Sequence, residues 1–384
     1  MPISYVDYDL QDGFIHHWLV AGPQTIPIHD LECFAGEDFR PEILRHYYEE
    51  DSGITSQPVE RGPLSEGILK LGDYEGAWAY VRCQEDHFVA HTSYYPTWHY
   101  LRSWAYIQLV SEADQAVTLV LTSHGPADVW LDGQHLHRQE HFSEPRPLSV
   151  GFEASLREGA SEILVRFEQV AVRQCPHAMA LRICQAAPRE ALERQALSGL
   201  RPASGVGVRL PTAITDVARR NTLERVFEAA YVDRDVFAAD AGVVVHWSDD
   251  LDVSADTTVR FQTPAGRIYA EARVQGAAGE RVWLSYPYQV AEGPYHIILM
   301  PRPEEYYEQN IRLRRRLSLW ALGGNRSSEA PYGTYQERRR EGLVGAAQRE
   351  GNVYAEIAKM ALDQWSQVDT DVVDSFLEVE GGDE

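Results

Sequence analysis

The residues best suited to chemistry form an aromatic cluster in the first third of the chain. Tyr94, Tyr95, Trp98, His99 and Tyr100 fall within residues 94–100. Aromatic side chains with a polar edge stack on the apolar C–H faces of sugar rings while they hydrogen-bond the ring hydroxyls. We therefore interpret residues 94–100 as an exposed loop that binds a carbohydrate ligand.

Histidines offer a second kind of chemistry. His135, His137 and His141 lie in one short segment, and on a regular strand His135 and His137 would project from the same face, as two metal ligands do. No third ligand at a matching spacing completes this set, so solvated hairpin histidines are the simpler interpretation. The adjacent His16 and His17 would point to opposite faces of a strand. We predict neither a metal site nor a cofactor.

Carboxylates are too numerous to identify a catalytic pair. Glycoside hydrolysis needs two of them at about 5 Å or about 6.5–9.5 Å, a separation that a sequence does not reveal. The candidates are Glu85 with Asp86, Asp249 and Asp250 with Asp252, and Glu304 with Glu305. The aspartates at 249–256 lack the spacing of an EF-hand, and the chain contains no phosphate-binding loop and no nucleophile-elbow motif. The catalytic residues stay unassigned.

Charge and composition exclude several classes of protein. The 384 residues include 58 acidic and 35 basic side chains, a net charge of −23. This charge would repel a phosphate backbone, so we expect no nucleic-acid partner. The chain is 44 % hydrophobic and 24 % charged, which is typical of a globular protein that buries a core.

The cysteines and the hydropathy pattern favour a reduced, cytoplasmic environment. Four cysteines form no Cys-x-x-Cys pair, and a bridge between Cys175 and Cys184 across a hairpin is the one alternative we keep open. No uncharged apolar run is long enough to span a membrane. The first residues lack the pattern of a secretory signal. We expect no membrane association.

Hydrophobic periodicity predicts a mainly β protein with helical segments. Short alternating runs such as residues 162–169, with an Asp132-Gly133 turn between two others, predict a jelly-roll β-sandwich over residues 1–187. Helical spacing predicts a linker over 188–235. Five short strand-like runs over 236–302 predict a small immunoglobulin-like sandwich.

After residue 302 the pattern becomes helical to the end of the chain. We predict helices over 304–322 and 335–348, and a third with an apolar stripe. The stripe comprises Val353, Ile357, Met360, Ala361, Trp365 and Val368. Such a stripe must be buried against something. We expect these helices to fold back on the second sandwich, to begin an (α/α) domain, or to contact a partner protein.

Three motifs in the first domain resemble a known family. They are residues 13–23 (GFIHHWLVAGP), residues 128–133 (DVWLDG) and residues 158–166 (EGASEILVR), and together they resemble the galactose-binding-like jelly-roll domain. The resemblance implies a domain that binds sugars or calcium through loops at one end, or that serves as a spacer. It also implies a position in front of the catalytic domain of a large glycan-active enzyme. The order jelly roll, sandwich, helices is similar to the front half of multidomain glycosidases and lyases.

Three functions follow from these observations. The first is a non-catalytic region that recognises or positions a glycan for a catalytic domain in the same polypeptide or in a partner protein. The second is an enzyme, a glycoside hydrolase or polysaccharide lyase that uses paired carboxylates. The third is a structural or assembly protein that binds a partner through its C-terminal helices. Paired carboxylates in a cleft would favour the enzyme, and exposed aromatic side chains on the first sandwich would favour the binding protein.

Overall fold

The computed structural model describes most of the chain as two compact units. The described residues are 3–29, 39–50, 68–71, 74–84, 86–143, 146–197, 199–239, 242–286, 290–302, 311–323, 333–348, 355, 358, 359 and 362. Contacts between residues divide the chain into a first unit, Met1–Ile214, and a second unit, Thr215–Glu384.

The first unit is built mainly from strands. They are β1 (Ile3–Asp9), β2 (His17–Pro27), β3 (Ile68–Leu71), β4 (Tyr74–Ala77), β5 (Ala79–Arg82), β6 (Val89–Ala90), β7 (Ser93–Ser111), β8 (Gln115–Ser123), β9 (Ala127–Leu131), β10 (Gln134–Gln139), β11 (Leu148–Leu156), β12 (Gly159–Cys175), β13 (Ala178–Gln185) and β14 (Val206–Ala213). Two helices accompany them, α1 (Arg40–Glu50) and α2 (Arg189–Glu193).

Two antiparallel sheets make this unit a β-sandwich. The larger sheet has the order β10-β9-β12-β7-β2-β5, and β14 pairs with both β1 and the last residues of β7. The smaller sheet has the order β11-β8-β13-β6. Apolar side chains on the central strands are fully buried, among them Ile107, Leu121, Ile163 and Leu181, because alternate residues of a strand face the core.

The predicted turn between β9 and β10 is confirmed. Asp132 and Gly133 have φ angles of 48° and 78°, and the two strands that they join pair antiparallel. Both positions need a left-handed backbone, which glycine adopts freely and aspartate tolerates better than most side chains.

The second unit contains nine strands within the described residues. They are β15 (Ala230–Val232), β16 (Val236–Ala238), β17 (Val243–Trp247), β18 (Thr257–Gln262), β19 (Ile268–Val274), β20 (Arg281–Leu284), β21 (Gly293–Pro301), β22 (Ile311–Arg312) and β23 (Arg315–Leu322). Helix α3 (Ile214–Glu228) precedes them and α4 (Tyr335–Gln348) follows. One sheet has the order β16-β23-β21-β18-β19, with β16 parallel to β23, and the other has the order β15-β17-β20.

Helix α4 is fixed at its start and along one face. Thr334 and Glu337 form a capping box, in which the Glu337 N–H donates to the threonine hydroxyl at 3.3 Å and the Thr334 N–H donates to the glutamate carboxylate at 2.8 Å. Leu343 and Ala346 are fully buried in a cluster that includes Trp320 of β23. The helix therefore packs on the five-stranded sheet of its own unit.

The structure confirms the mainly β fold class and corrects parts of the predicted boundaries. The helix at 335–348 has the predicted bounds. The helix predicted over 304–322 is wrong for Arg315–Leu322, which forms β23, because pairing with β21 outweighs the helix propensity of its arginines and leucines. Residues 188–235, predicted as a helical linker, also contain β14.

The structure also bears on the predictions for the cysteines, for membrane-spanning helices and for the C-terminal apolar stripe. Cys184 has a free, buried thiol, so it is not bridged to Cys175. In the part of the chain that is described, no helix is both long and apolar enough to cross a bilayer. The apolar stripe from Val353 to Val368 lies outside the described residues.

Candidate functional site

The aromatic cluster forms the first part of strand β7, so the loop predicted for residues 94–100 is wrong. The strand pairs with β12 from Ser93 opposite Cys175 onward, and the register is irregular between Tyr95 and His99. Pro96 lies in this irregular stretch, where its missing N–H removes no regular ladder hydrogen bond. Aromatic side chains favour extended backbone, so the composition that suggested a binding loop also stabilises a strand.

The five predicted ligand-binding residues occupy different environments. Tyr94 is 68 % exposed. Tyr95 and His99 are half-buried, and their ring centroids lie 5.1 Å apart. Trp98 is half-buried in a separate cluster, and Tyr100 is fully buried. The structure therefore brings Tyr95 and His99 together and places Tyr100 in the core.

Packing fixes the indole of Trp98. Its ring meets the ring of Phe39 edge to face at a centroid distance of 4.8 Å. Both belong to a hydrophobic cluster around the buried Ile43 of α1, which Phe142 also contacts. The guanidinium of Arg40 lies 5.4 Å from the centre of the Phe142 ring, within the range of a cation–π contact. Trp98 thus ties β7 to helix α1.

Tyr95 has a polar edge that stays protonated. Burial raises the pKa of its phenol, and a hydrogen bond with the Thr25 side chain opposes that shift. The Nδ1 atom of His99 lies 2.7 Å from the carbonyl oxygen of Thr97. A carbonyl only accepts, so Nδ1 carries a proton. The pair therefore presents polar atoms at the edges of two aromatic rings.

Tyr100 serves a structural role. Its hydroxyl accepts hydrogen bonds from Nε and Nη2 of Arg102 at 3.0 and 2.9 Å and donates to the Glu168 carboxylate. Burial, followed by the charge of Glu168, raises the pKa of the phenol. All three side chains are almost completely buried.

Sequence reasoning missed a buried charged network that continues from this triad. The carboxylate of Asp128 accepts from Arg166 Nη2 at 2.6 Å and from Arg138 Nη1 at 2.7 Å. The second oxygen of Glu168 lies 3.8 Å from Arg166 and 3.9 Å from Arg138. Both carboxylates and Arg166 have fully buried side chains.

A signal for this network is present in the sequence. Arg166 and Glu168 alternate with Val165 and Phe167, a pattern that also describes a strand with one solvated face. Asp128, opposite in charge, is the cross-strand partner of Arg166. Only this pairing, which the sequence does not reveal, distinguishes a buried ion pair from two exposed charges.

The geometry predicted for His135 and His137 is wrong. A shift of register lies between them, so that His135 is opposite Trp130 and His137 is opposite Val129. The two rings consequently have different surroundings: His135 Nε2 lies 2.8 Å from Asp128, whereas the His137 ring stacks on Phe152 at 4.5 Å. Across the described ranges, no three His, Cys, Asp or Glu side chains are gathered as metal ligands.

Other histidines form buried contacts. His16 Nε2 lies 2.6 Å from His87 Nδ1, and His17 Nδ1 lies 2.7 Å from the Tyr80 hydroxyl. Burial, followed by the charge of His87, lowers the pKa of His16 to about 4. The His16 ring is therefore neutral at pH 7.

Ser103 has a histidine on each side. Its Oγ lies 2.9 Å from His91 Nδ1 and 3.0 Å from His177 Nε2. A serine hydrogen-bonded to a histidine is the arrangement of an activated nucleophile. Ser103 and His177 are nearly inaccessible to solvent, however, so the contacts hold the sandwich together without exposing a nucleophile to a substrate.

Three of the predicted carboxylate candidates have local hydrogen-bond or ion-pair partners. Asp86 accepts from the Phe88 N–H at 3.2 Å. Asp250 accepts from the Ser248 hydroxyl, and Asp252 pairs with Arg225. Each of these carboxylates therefore serves a local partner. Glu85, Glu304 and Glu305 lie outside the described residues.

Comparison with known proteins finds similarity among solved structures only. No family model matches the chain, and no curated protein matches it. A β-glucuronidase from Ruminococcus gnavus is 9 % identical, with 83 % of this chain and 44 % of that chain covered and a TM-score of 0.23. A glycosyl hydrolase family 2 member from Bacteroides cellulosilyticus DSM 14838 is 11 % identical, with 82 % and 36 % covered and a TM-score of 0.20.

A smaller protein matches a shorter part of the chain. It is a family 35 carbohydrate-binding module from Clostridium thermocellum, 13 % identical, with 26 % of this chain and 89 % of that chain covered and a TM-score of 0.19. The chain spans less than half the length of the two glycosidases. Glycoside hydrolases and a carbohydrate-binding module are thus among the solved structures to which this chain is similar.

Proposed function

We propose that the first unit binds carbohydrate through the aromatic residues at the start of β7. We call Tyr94, Tyr95 and His99 the β7 surface. The observation that carries the proposal is the 68 % exposure of the Tyr94 ring. Tyr95 and His99, whose rings pair with each other, lie in the same stretch of β7. An exposed aromatic ring covers the apolar face of a sugar, and the neighbouring polar atoms select its hydroxyls.

The polar atoms of the β7 surface match a neutral sugar. The phenol of Tyr95 stays protonated and can donate to a sugar hydroxyl. Trp98 supports the strand from the cluster around Ile43, which keeps the surface in one conformation. Rigid binding groups lose little entropy when a ligand arrives.

We infer a non-catalytic role, in which the chain recognises or positions a glycan for a catalytic domain. The local partners of the described carboxylate candidates support this inference, as does the burial of Ser103. We also infer that the first unit is the galactose-binding-like jelly roll that its motifs resemble, and its two antiparallel sheets are consistent with that architecture.

Affinity electrophoresis of the full chain tests the proposal. The gels contain barley β-glucan, arabinoxylan, galactomannan or pectic galactan, one per gel. The expected result is retardation by at least one polysaccharide, with Tyr94→Ala weakening the affinity by about 3–10-fold, the value of one lost aromatic contact. The matched control is Tyr5→Ala on β1, which removes another exposed tyrosine, 52 % accessible. Equal retardation of the two variants, or no retardation of the parent chain, contradicts the proposal.

A further inference from the structure

A second exposed aromatic surface lies on the three-stranded sheet of the second unit. Tyr231 of β15 is opposite His246 of β17, which is opposite Arg281 of β20. Trp283 lies two residues beyond Arg281, so its side chain projects from the same face. Tyr231 and Trp283 are 46 % and 65 % exposed. We call the three aromatic residues Tyr231, His246 and Trp283 the β15–β20 surface.

The Trp283 ring has a defined position. Gly242, with a φ of +68°, lies beneath it, and a Cβ atom there would be 2.7 Å from the indole nitrogen. Any side chain at position 242 would occupy the space that the indole fills, so the glycine allows the indole to lie close to the backbone. The indole therefore has support below and an exposed surface above.

Tyr231 and His246 form the other end of the surface. Their rings stack at a centroid distance of 5.3 Å and an interplanar angle of 19°. His246 Nε2 lies 3.0 Å from the Asp233 carboxylate, whose side chain is 70 % exposed. A partly solvated carboxylate next to an aromatic ring is an acceptor for hydroxyl groups. The surface thus offers two aromatic rings for stacking, Tyr231 and Trp283, and one hydrogen-bond acceptor, the carboxylate of Asp233.

The dimensions fit an oligosaccharide. Two strand spacings and two residue steps separate Tyr231 from Trp283, roughly 12 Å between their Cα atoms. The exposed parts of these two rings offer on the order of 200–300 Å². A stable protein interface needs about 800 Å² from each partner. The surface is therefore too small for a second protein chain and long enough for more than one sugar ring.

The charges favour a neutral occupant. Arg281 and Asp233 flank the surface with one charge of each sign, and the whole chain carries −23. A polyanionic glycan would be repelled by that net charge. Pyranose rings with equatorial hydroxyls have flat C–H faces on both sides, which suits two aromatic positions on one flat sheet.

We propose that the β15–β20 surface is a second carbohydrate-binding site, specific for neutral glycans and independent of the β7 surface. The evident variants are Trp283→Ala, Tyr231→Ala and Gly242→Ala, because they remove each stacking ring or displace the indole. Trp283→Phe keeps a ring in place. Ile268→Ala, on the neighbouring strand β19, removes an exposed apolar side chain of 47 % accessibility and is the matched control.

Affinity electrophoresis in barley β-glucan, glucomannan, arabinoxylan and polygalacturonate tests the site. We expect retardation by a neutral polymer and not by polygalacturonate. Trp283→Ala should weaken the affinity at least about tenfold, Tyr231→Ala and Gly242→Ala by about three- to tenfold, and Trp283→Phe and Ile268→Ala by less than about twofold. Circular dichroism melting of each variant shows that the fold is retained, since both rings are exposed.

The remaining outcomes separate this site from the alternatives. Tyr94→Ala should leave the binding at the β15–β20 surface intact, and Trp283→Ala should abolish it. The two proposed sites can therefore be contradicted separately. Unchanged retardation in both Trp283→Ala and Tyr231→Ala overturns the proposal. So does sedimentation that shows a dimer of the parent chain and a monomer of Trp283→Ala, because the surface would then be an interface between copies.

Discussion

Asp128 is the residue on which the charged network of the first unit depends. Its carboxylate is fully buried and faces two guanidinium groups, of Arg166 and Arg138. Taking these charges out of water is costly, and only their mutual attraction offsets the cost. Glu168 contributes the second negative charge. The network therefore tolerates the loss of a whole pair better than the loss of one member.

We expect Asp128→Asn to lower the free energy of unfolding by about 3–5 kcal/mol, because it leaves a buried guanidinium without its counter-charge. Urea denaturation followed by circular dichroism measures the change. Glu140→Gln is the matched control, since Glu140 also pairs with Arg138, at 2.9 Å, but is 70 % exposed. It should cost less than about 1 kcal/mol. Similar losses in the two variants would show that burial does not set the strength of these pairs.

The buried histidines predict a stability that falls in acid. The pKa of His16 is lowered from 6.5 to about 4, and the pKa values of His87, His137 and His177 are lowered too, chiefly by burial. The unfolded chain therefore binds more protons as pH falls below 6.5. The stability that the neutral, buried histidines contribute to the folded state is complete above about pH 6.5. It is lost progressively as the pH falls toward about 4.

Urea midpoints at several pH values measure this effect. We expect His16→Gln to reduce the loss between about pH 7 and about pH 5 by roughly 1–2 kcal/mol, after allowance for solvent screening of the ring. A variant whose stability runs parallel to that of the parent chain across this range would rule out His16 as one of the titrating groups.

At the scale of elements, helix α4 shows how local and tertiary signals combine. Its capping box is readable as Thr334-x-x-Glu337, and an N–H of Tyr335 also donates to Asp235 at 2.9 Å. The sequence predicts the bounds of α4 correctly because cap, composition and buried face agree. In strand β23 these signals disagree. Its arginines and leucines suit a helix, and pairing with β21 and β16 makes it a strand.

We expect Leu343→Ala in α4 to destabilise the second unit by about 2–5 kcal/mol, because the fully buried leucine would leave a cavity against Trp320. The control is the adjacent Val344→Ala, which removes a side chain that is 39 % exposed and should cost less than about 1 kcal/mol. Thermal denaturation of both variants gives the comparison. Equal melting temperatures would mean that the helix does not pack on its sheet in solution.

Residue types alone predict which side chains form the candidate site. Their orientation depends on how the strands pair. The sequence identifies Tyr94, Tyr95 and His99 as a group because aromatic rings cluster there. It does not show that Tyr100 faces the core, since this depends on the register of β7 against β12. The bulge that separates His135 from His137 is likewise a property of two strands together. The alternation of polar and apolar residues along one strand does not reveal which strands pair with it or in which register.

At the scale of the whole molecule, the net charge of −23 predicts weak binding of polyanions. We expect no mobility shift of double-stranded DNA or of heparin at about 0.15 M salt, because the few cationic side chains cannot release enough counterions. A gel-shift titration checks this expectation. An affinity tighter than about 10 µM would reveal a local basic patch that overcomes the overall field.

The long pairing of β7 with β12 has a consequence for folding, because its two ends close loops of different length. Gly159 is opposite Ser111, and Cys175 is opposite Ser93. The partners are about 50 residues apart in the chain at one end of this ladder and about 80 at the other, so the entropy cost of closing the loop rises toward Ser93. Pairing should start near Ser111 and proceed toward the aromatic cluster. During synthesis on the ribosome, His99 and Tyr94 would gain their β12 partners only after Ala171 and Gln174 have emerged.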